Sequence, residues 1–341
     1  MFEKITTLKH LAKELNLSIS TVSRALNNHP DIGETTKEKA KRLANKLDYS
    51  PNIFAKGFRE HKSNTIGVLV PNISHYYTST ILKGILEEAD INGYKVILSE
   101  SNNDFKKQSE ILKSMIQLGV DGILLSISKM TKEVNSILNT LNKIPIVLFD
   151  KVSDKIPCTQ ISIDEEGAAF DAVEHLISTN KKRIAIIKES NISDTSNKRF
   201  AGYLKALKKY NIPINEDFII SNDDASITQG ENSTVILLNL KNRPDAIIAI
   251  TDRAAIGAIK KLKKANIKIP EEIAIIGFSN SLSSTIIEPN LTTVDQPGKR
   301  IGKIAVNSLI DIIENDSGKI NNKTIIINTK LIIRESSFKF K

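Results

Sequence analysis

The chain has 341 residues, 40% apolar and 26% charged, ordinary values for a globular protein with room for two or three cored domains. Its formal net charge is +9, and residues 1–60 hold eleven Lys/Arg against seven Asp/Glu, so a basic head with an electrostatic footprint precedes a nearly balanced body. The single cysteine, Cys158, excludes internal disulfides and reads as a small buried hydrophobe in a reducing compartment; no signal peptide is expected, and apolar runs such as Ile144–Phe149 are too short to span a membrane.

In chain order, Thr6 or Thr7 can cap a first short helix whose apolar face is Leu8, Leu11, Ala12 and Leu15. Asn16 suits a tight turn because asparagine tolerates the left-handed conformation. Ser18 can cap a second helix with Val22, Ala25 and Leu26 inward and Ile19, Ser20, Thr21, Ser23 and Arg24 outward. A third helix, about Thr36 to Leu47, closes a three-helix core through Ala40, Leu43, Ala44 and Leu47. This is the layout of a helix-turn-helix DNA reader, whose second helix turns its early residues to base edges in the major groove. Arg24 can bond guanine or phosphate, Ser20 and Thr21 can do either, and Ile19 can touch a thymine methyl. Thr7, Ser18, Ser23 and Asn27 complete the candidate DNA contacts of the head.

After a polar joint at residues 61–64, apolar strand-length runs alternate with helical stretches: IGVLV, YKVILSE, GILLSI, IPIVLFD and CTQISID, then RIAIIK, DFIISN, DAIIAIT and EIAIIGF. Such runs, rich in β-branched residues and spaced by helices, imply buried parallel strands in right-handed βαβ units. They form two rounds, about 65–160 and 161–290. TTVDQP follows, then an amphipathic helix from about Gly298 to Glu314 and a strand-like tail, TIIINTKLIIRESS. No Gly-x-Gly-x-x-Gly or phosphate-binding Gly-x-x-x-x-Gly-Lys-Ser/Thr occurs, and the five histidines have no metal-ligand spacing. No catalytic residue, metal site or cofactor is therefore expected, and no enzyme.

The strings LAKELNLSISTVSRALN and KLDYSPN, with VDGILL (120–125), HLISTNKKRIAII (175–187), RFAGYLKAL (199–207), RPDAIIAITDRAAIGAI (243–259) and EEIAIIGFSN (271–280), resemble the lactose-repressor/galactose-repressor family of bacterial transcription regulators over essentially the whole chain. The resemblance implies a helix-turn-helix domain at 1–50, a hinge helix and linker at 51–63, and a two-lobed, periplasmic-binding-protein-like α/β core with parallel sheets at 64–341. The first lobe would comprise about 64–160 and 293–321, the second about 161–292 and 322–338. In the hinge, Asn52 would cap the helix and Ala55, Lys56 and Phe58 would meet the minor groove. Phe58 stands where the family has a wedging leucine; packing on the core is its alternative role. Gly57 lowers helix propensity there, so the hinge is expected to order on binding DNA.

The resemblance also implies an effector cleft between the lobes, at the C-terminal ends of the strands. Tyr76 and Tyr77 stand where the family offers aromatics to an effector, or they pack the core. Arg199 matches an effector-binding arginine. Asp252 matches an aspartate at the cleft edge and can equally cap the following helix. Ser279 and Asn280 replace the acidic character that sugar-responsive members carry there, which puts a plain monosaccharide in doubt and favours an anionic, phosphorylated or larger ligand. Asp164 and Glu165 read as a helix start with a structural role. The expectation is a cytoplasmic, nucleoid-associated bacterial homodimer, a repressor whose affinity for a near-palindromic operator is set by a carbohydrate or its derivative, without membrane contact. A coiled-coil tetramer is not expected. The alternatives are a DNA-binding regulator without a small-molecule effector and a transporter's solute-binding protein; a missing export signal and the basic head oppose the latter.

Overall fold

A computed structural model describes residues 6–49, 62–129, 131, 133–190, 193–315 and 322–338. The chain divides into two compact units, Met1–Asn64 and Thr65–Lys341.

In the first unit, α1 (Leu8–Leu15), α2 (Ile19–Leu26) and α3 (Glu34–Lys46) pack together. Thr7 caps α1 in a reciprocal capping box with His10, and Asn16 leaves it at φ 53°. The Ser18 hydroxyl accepts from the Thr21 amide to cap α2. Leu11, Val22, Ala25 and Ala40 are fully buried. The third helix begins earlier than its apolar spacing suggests, because extended Gly33 serves as its N-cap and Glu34 suits the positive helix end. Ser23, expected on the outer face of α2, is buried. The reason is that α2 packs against both α1 and α3, which widens its inward stripe. The expected hinge residues Asn52, Ala55, Lys56, Gly57 and Phe58 lie outside the described residues.

The second unit holds two six-stranded sheets. The first has the order β11-β5-β4-β3-β1-β2, from β1 (Thr65–Val70), β2 (Lys95–Glu100), β3 (Gly122–Leu125), β4 (Ile146–Phe149), β5 (Thr159–Ile163) and β11 (Thr324–Ile327). The second has the order β12-β10-β9-β8-β6-β7, from β6 (Ile184–Glu189), β7 (Ile219–Asn222), β8 (Ala246–Ala249), β9 (Ala274–Phe278), β10 (Thr292–Asp295) and β12 (Lys330–Ile332). All pairings are parallel except β10 with β12. Helices cover both faces of the central strands, so β1 and β6 are buried along their whole length while the edge strand β2 is half-exposed.

In the first lobe, α4 (Tyr76–Ile91) and α11 (Gly298–Glu314) pack as a pair, with α5 (Phe105–Gln117) and α6 (Asn135–Leu141) also paired. The approach of α4 to α11 requires glycine: a Cβ on Gly84 would strike the Lys299 carbonyl, and one on Gly302 the Ile81 carbonyl. In the second lobe, α7 (Glu165–Ser178) pairs with α8 (Asp194–Lys209), and α9 (Ile227–Leu238) with α10 (Asp252–Lys264). Cys158 is buried in an apolar cluster of the first lobe, where burial pushes its thiol pKa up to about 12 and leaves it inert.

The strands cross between lobes elsewhere than expected. Thr159–Ile163 completes the first sheet, which a first-lobe limit near 160 would cut. Thr292–Asp295, assigned largely to the first lobe, lies in the second sheet, and Thr324–Ile327, assigned to the second, pairs with β5 in the first. The tail is thus two strands, one per sheet. Local pattern specifies a strand but not the open edge it joins.

Candidate functional site

On α2, the residues turned away from the core form a compact polar face. Ile19 is 48% exposed, Ser20 and Arg24 are exposed, and Thr21 is half-buried. The Ser18 hydroxyl lies 2.8 Å from that of Ser20 and 2.7 Å from that of Thr21, so one short cluster both caps the helix and orients its first turn. Asn27 is exposed, and its side-chain amide donates to the Ser23 carbonyl at the end of α2. Thr7 is likewise exposed at the start of α1. The arrangement presents an apolar tip, hydroxyls and one guanidinium on a helix held rigidly from behind, the donor set that base edges and phosphates require.

In the second unit, a cavity of about 270 Å³ lies among the residues that follow the strands. The first lobe contributes His75, Tyr77, Lys129, Asp150 and Lys151 to its wall, and the second Glu189, Arg199, Asp224, Arg253 and Ser279, with Gln296 after β10. Strand order reverses in both sheets beside β1 and β6, so the crevice at their C-terminal ends is open to side chains from both sides.

Arg199 on α8 is 6% exposed and fixed on three sides. Its Nε donates to Glu165 Oε2 at 2.7 Å, its Nη1 donates to the Ile250 carbonyl, and its guanidinium lies 3.5 Å from the centre of the Phe278 ring. Glu165 therefore does more than start a helix: it is the arginine's buried counter-ion. Burial raises its carboxyl pKa, and Arg199 opposes the rise. Lys129 Nζ lies 2.5 Å from Glu189 Oε1, an ion pair that joins the two lobes across the cavity. Burial lowers the His75 pKa, and Lys151 lowers it further, Asp150 opposes, and Arg253 and Lys129 add to the fall, so the imidazole is held neutral. Burial also lifts the Tyr77 hydroxyl well above the ordinary tyrosine range, with Asp150 adding to the rise.

Of the residues singled out from the sequence, Tyr77, Arg199 and Ser279 line the cavity, and Tyr76, Asp252 and Asn280 do not. Tyr76 starts α4 one position earlier and is 43% exposed. Asp252 is 2% exposed, accepting from the Thr293 hydroxyl at 2.5 Å and the Ser281 amide at 2.6 Å; burial raises its pKa and these bonds restrain it. Nor does it cap α10, since the Thr251 hydroxyl accepts from the Ala254 amide instead. Asn280 is engaged by Arg334 Nη2 at 2.7 Å and donates to Asp295 Oδ1 at 2.8 Å. These two residues hold the loop that presents Ser279, where Ser279 and Asn280 stand at φ 124° and 48°. Strained φ values of this kind cost about 1–3 kcal/mol each and persist only where surrounding bonds impose them. Lys129, Asp150, Lys151, Glu189, Asp224, Arg253 and Gln296 were not singled out. Their shared signal is position: Asp150, Glu189 and Gln296 end or directly follow apolar strands.

Among the described residues, no helix is long and apolar enough to cross a membrane. The chain matches the model of bacterial regulatory proteins of the lacI family over residues 7–52 and that of a periplasmic binding protein-like domain over residues 173–337. It is 35% identical over 331 residues to the NTD biosynthesis operon regulator NtdR of Bacillus subtilis (strain 168), covering 97% of this chain and 99% of that protein. It is 30% identical over 333 residues to catabolite control protein A of Priestia megaterium, covering 97% and 99%. Its fold is that of the lac repressor dimer bound to operator and the anti-inducer ONPF, with a TM-score of 0.86 at 23% identity over 98% of this chain and 100% of that one.

Proposed function

The chain belongs to the lacI family of bacterial regulatory proteins, and from that premise we propose that it is a sequence-specific DNA-binding repressor whose operator affinity is set by a small molecule in the interlobe cavity. The observation that carries the reading is the pairing, in one chain, of a rigidly backed α2 face with a polar cavity walled by both lobes. Ile19, Ser20, Thr21 and Arg24 read the major groove, and Thr7, Ser18 and Asn27 place the helix through backbone contacts and caps. Asn52, Ala55, Lys56 and Phe58 are the proposed minor-groove contacts. Tyr77, Arg199 and Ser279 contact the effector, a carbohydrate or derivative, while Asp252 and Asn280 position the Ser279 loop. The domains follow as 1–50 for DNA reading, 51–63 for the hinge and 64–341 for the core.

The protein acts in the bacterial cytoplasm at the nucleoid, as a homodimer on a near-palindromic site. A ligand regulates only if it binds one lobe arrangement better than another, and the Lys129–Glu189 pair gives the closed arrangement a contact that opening breaks.

The test is selection of bound sequences from random duplex DNA, followed by fluorescence anisotropy on the selected site with metabolites added. A two-fold symmetric consensus and an affinity shifted by at least one metabolite are expected. Binding without sequence preference would remove the DNA-reading half of the proposal, and an affinity that no metabolite moves would remove the effector half.

A further inference from the structure

Resting on the reading of the cavity as an effector site, we propose that Asn280 is a positioning residue: its carboxamide, clamped between Asp295 and Arg334, ties the Ser279 loop to two of the segments on which the chain passes between the lobes.

Ser279 and Asn280 follow β9 at φ 124° and 48°, conformations that L-residues adopt only where neighbours impose them. The loop backbone is held within the second lobe. The Ser279 amide donates to the Val294 carbonyl at 2.9 Å, the Asn280 amide to the Thr293 hydroxyl at 3.1 Å, and the Ser281 amide to Asp252 Oδ2 at 2.6 Å. The Asn280 side chain does not line the cavity and reaches elsewhere. Its Nδ2 donates to Asp295 Oδ1 at 2.8 Å, and its Oδ1 accepts from Arg334 Nη2 at 2.7 Å. Both halves of one amide are thus engaged by charged groups, the stronger kind of hydrogen bond. Arg334 is itself anchored: Nη1 donates to the Leu291 carbonyl at 2.7 Å and to the Ser284 hydroxyl at 3.1 Å, and its backbone amide donates to the Thr292 hydroxyl at 2.8 Å.

The two clamps share a place in the chain. Asp295 ends β10 in the second sheet, and only Gln296 and Pro297 separate it from α11 in the first lobe. Arg334 follows β12 in the second sheet, and only Asn328 and Thr329 separate β12 from β11 in the first. Two residues span at most about 7 Å, and the ring of Pro297 fixes its φ. Connections this short have no slack, so rotation of one lobe against the other displaces the ends of β10 and β12. The carboxamide bonded to both passes that displacement to Ser279, its neighbour on the cavity wall. Coupling of this kind is reciprocal, so a ligand that shifts Ser279 biases the lobe arrangement through the same bonds.

The test uses the full chain without ligand. Amide hydrogen exchange, read by mass spectrometry on peptides carrying residues 279–281, reports the loop. Double electron–electron resonance between spin labels on Lys113→Cys and Lys208→Cys reports the lobes, with labelled chain diluted into excess unlabelled chain. Lys113 on α5 and Lys208 on α8 are exposed, whereas Cys158, buried and with its thiol pKa pushed up to about 12, stays unlabelled. Asp295→Ala and Arg334→Met should each speed loop exchange by about tenfold or more, as loss of a charge-assisted bond allows, and should shift or broaden the interlobe distance. The double variant should exceed the faster single one by less than about threefold, because either cut frees the carboxamide. Asp295→Asn keeps the accepting oxygen and should match the parent chain in both readouts. Tyr203→Phe removes a buried hydrogen bond to the Ile184 carbonyl at the start of β6, and this control for lost stability should leave the interlobe distance unchanged. The proposal is overturned if Arg334→Met changes loop exchange by less than about twofold, or if the two single effects multiply in the double variant. It is equally overturned if Asp295→Asn loosens the loop as Asp295→Ala does, if neither single variant alters the interlobe distance, or if Tyr203→Phe alters it as much. An operator affinity that no metabolite moves would remove the effector reading and leave a measured link between loop and lobes standing; unaltered distances would do the reverse.

Discussion

Removal of Arg199 tests whether the cleft is built around a buried ion pair. The side chains of Arg199 and Glu165 are 7% and 8% exposed and meet at 2.7 Å. Deleting one member of such a pair costs about 3–5 kcal/mol, because the other charge stays desolvated. In Arg199→Met the remaining charge is a carboxylate that can take up a proton. Burial already raises the Glu165 pKa and Arg199 opposes the rise, so the variant lifts that pKa further. A carboxyl whose folded pKa lies above its ordinary value of 4.5 gives its full stabilisation below that value, which is lost as pH rises through the folded pKa. The cost of Arg199→Met should therefore be about 3–5 kcal/mol at pH 8 and shrink toward pH 5, with a slope of at most about 1.4 kcal/mol per pH unit. Urea unfolding followed by far-ultraviolet circular dichroism at unit pH steps measures it. The double variant Arg199→Met with Glu165→Gln should recover most of the loss and flatten the pH dependence. A cost under about 1 kcal/mol at pH 8, or one equal at every pH, would refute the reasoning, since it would place the pair in a solvated setting.

Two further outcomes follow from the packing and from the histidines. Gly302→Val should destabilise the first lobe by about 3 kcal/mol or more, because the added side chain meets the Ile81 carbonyl across α4 and α11; an unshifted thermal midpoint would show that the helices can part freely. Burial lowers the pKa of both His75 and His175, so their contribution is present in full above the ordinary value of 6.5 and is lost as pH falls toward the folded pKa values. Unfolding free energy should therefore drop between pH 7 and pH 5 and drop less in His75→Gln with His175→Gln; identical slopes would sink the assignment.

Much of the site was legible because strand ends in an open α/β sheet are both a sequence feature and a location. Arg199 and Ser279 came from matching strings, and Tyr77 came paired with Tyr76, which the helix start turns out of the cavity. Asp252 shows the opposite case. Its position after β8 fits a ligand contact, but Thr251 takes the cap and Thr293 and Ser281 take the carboxylate. A carboxylate's chemistry is the same in either role; the neighbours that claim its lone pairs come from residues 29 and 41 positions away. Glu165 shows it again, since its partner lies 34 positions on.

The sequence by itself determined the local order of this protein. Caps such as Ser18, the left-handed Asn16, the period of the apolar stripes and the β-branched runs fix which segments become helices or strands, because those preferences act within a few residues. Only the tertiary structure decided which sheet Thr324–Ile327 would join, that Ser23 would turn inward, and that Lys129 and Glu189 would bridge the lobes. It alone left the buried Gln296 carboxamide without a hydrogen-bond partner among the described residues. Those outcomes depend on which open edge, buried face or opposite charge distant segments meet on folding, and no short window of sequence carries that information.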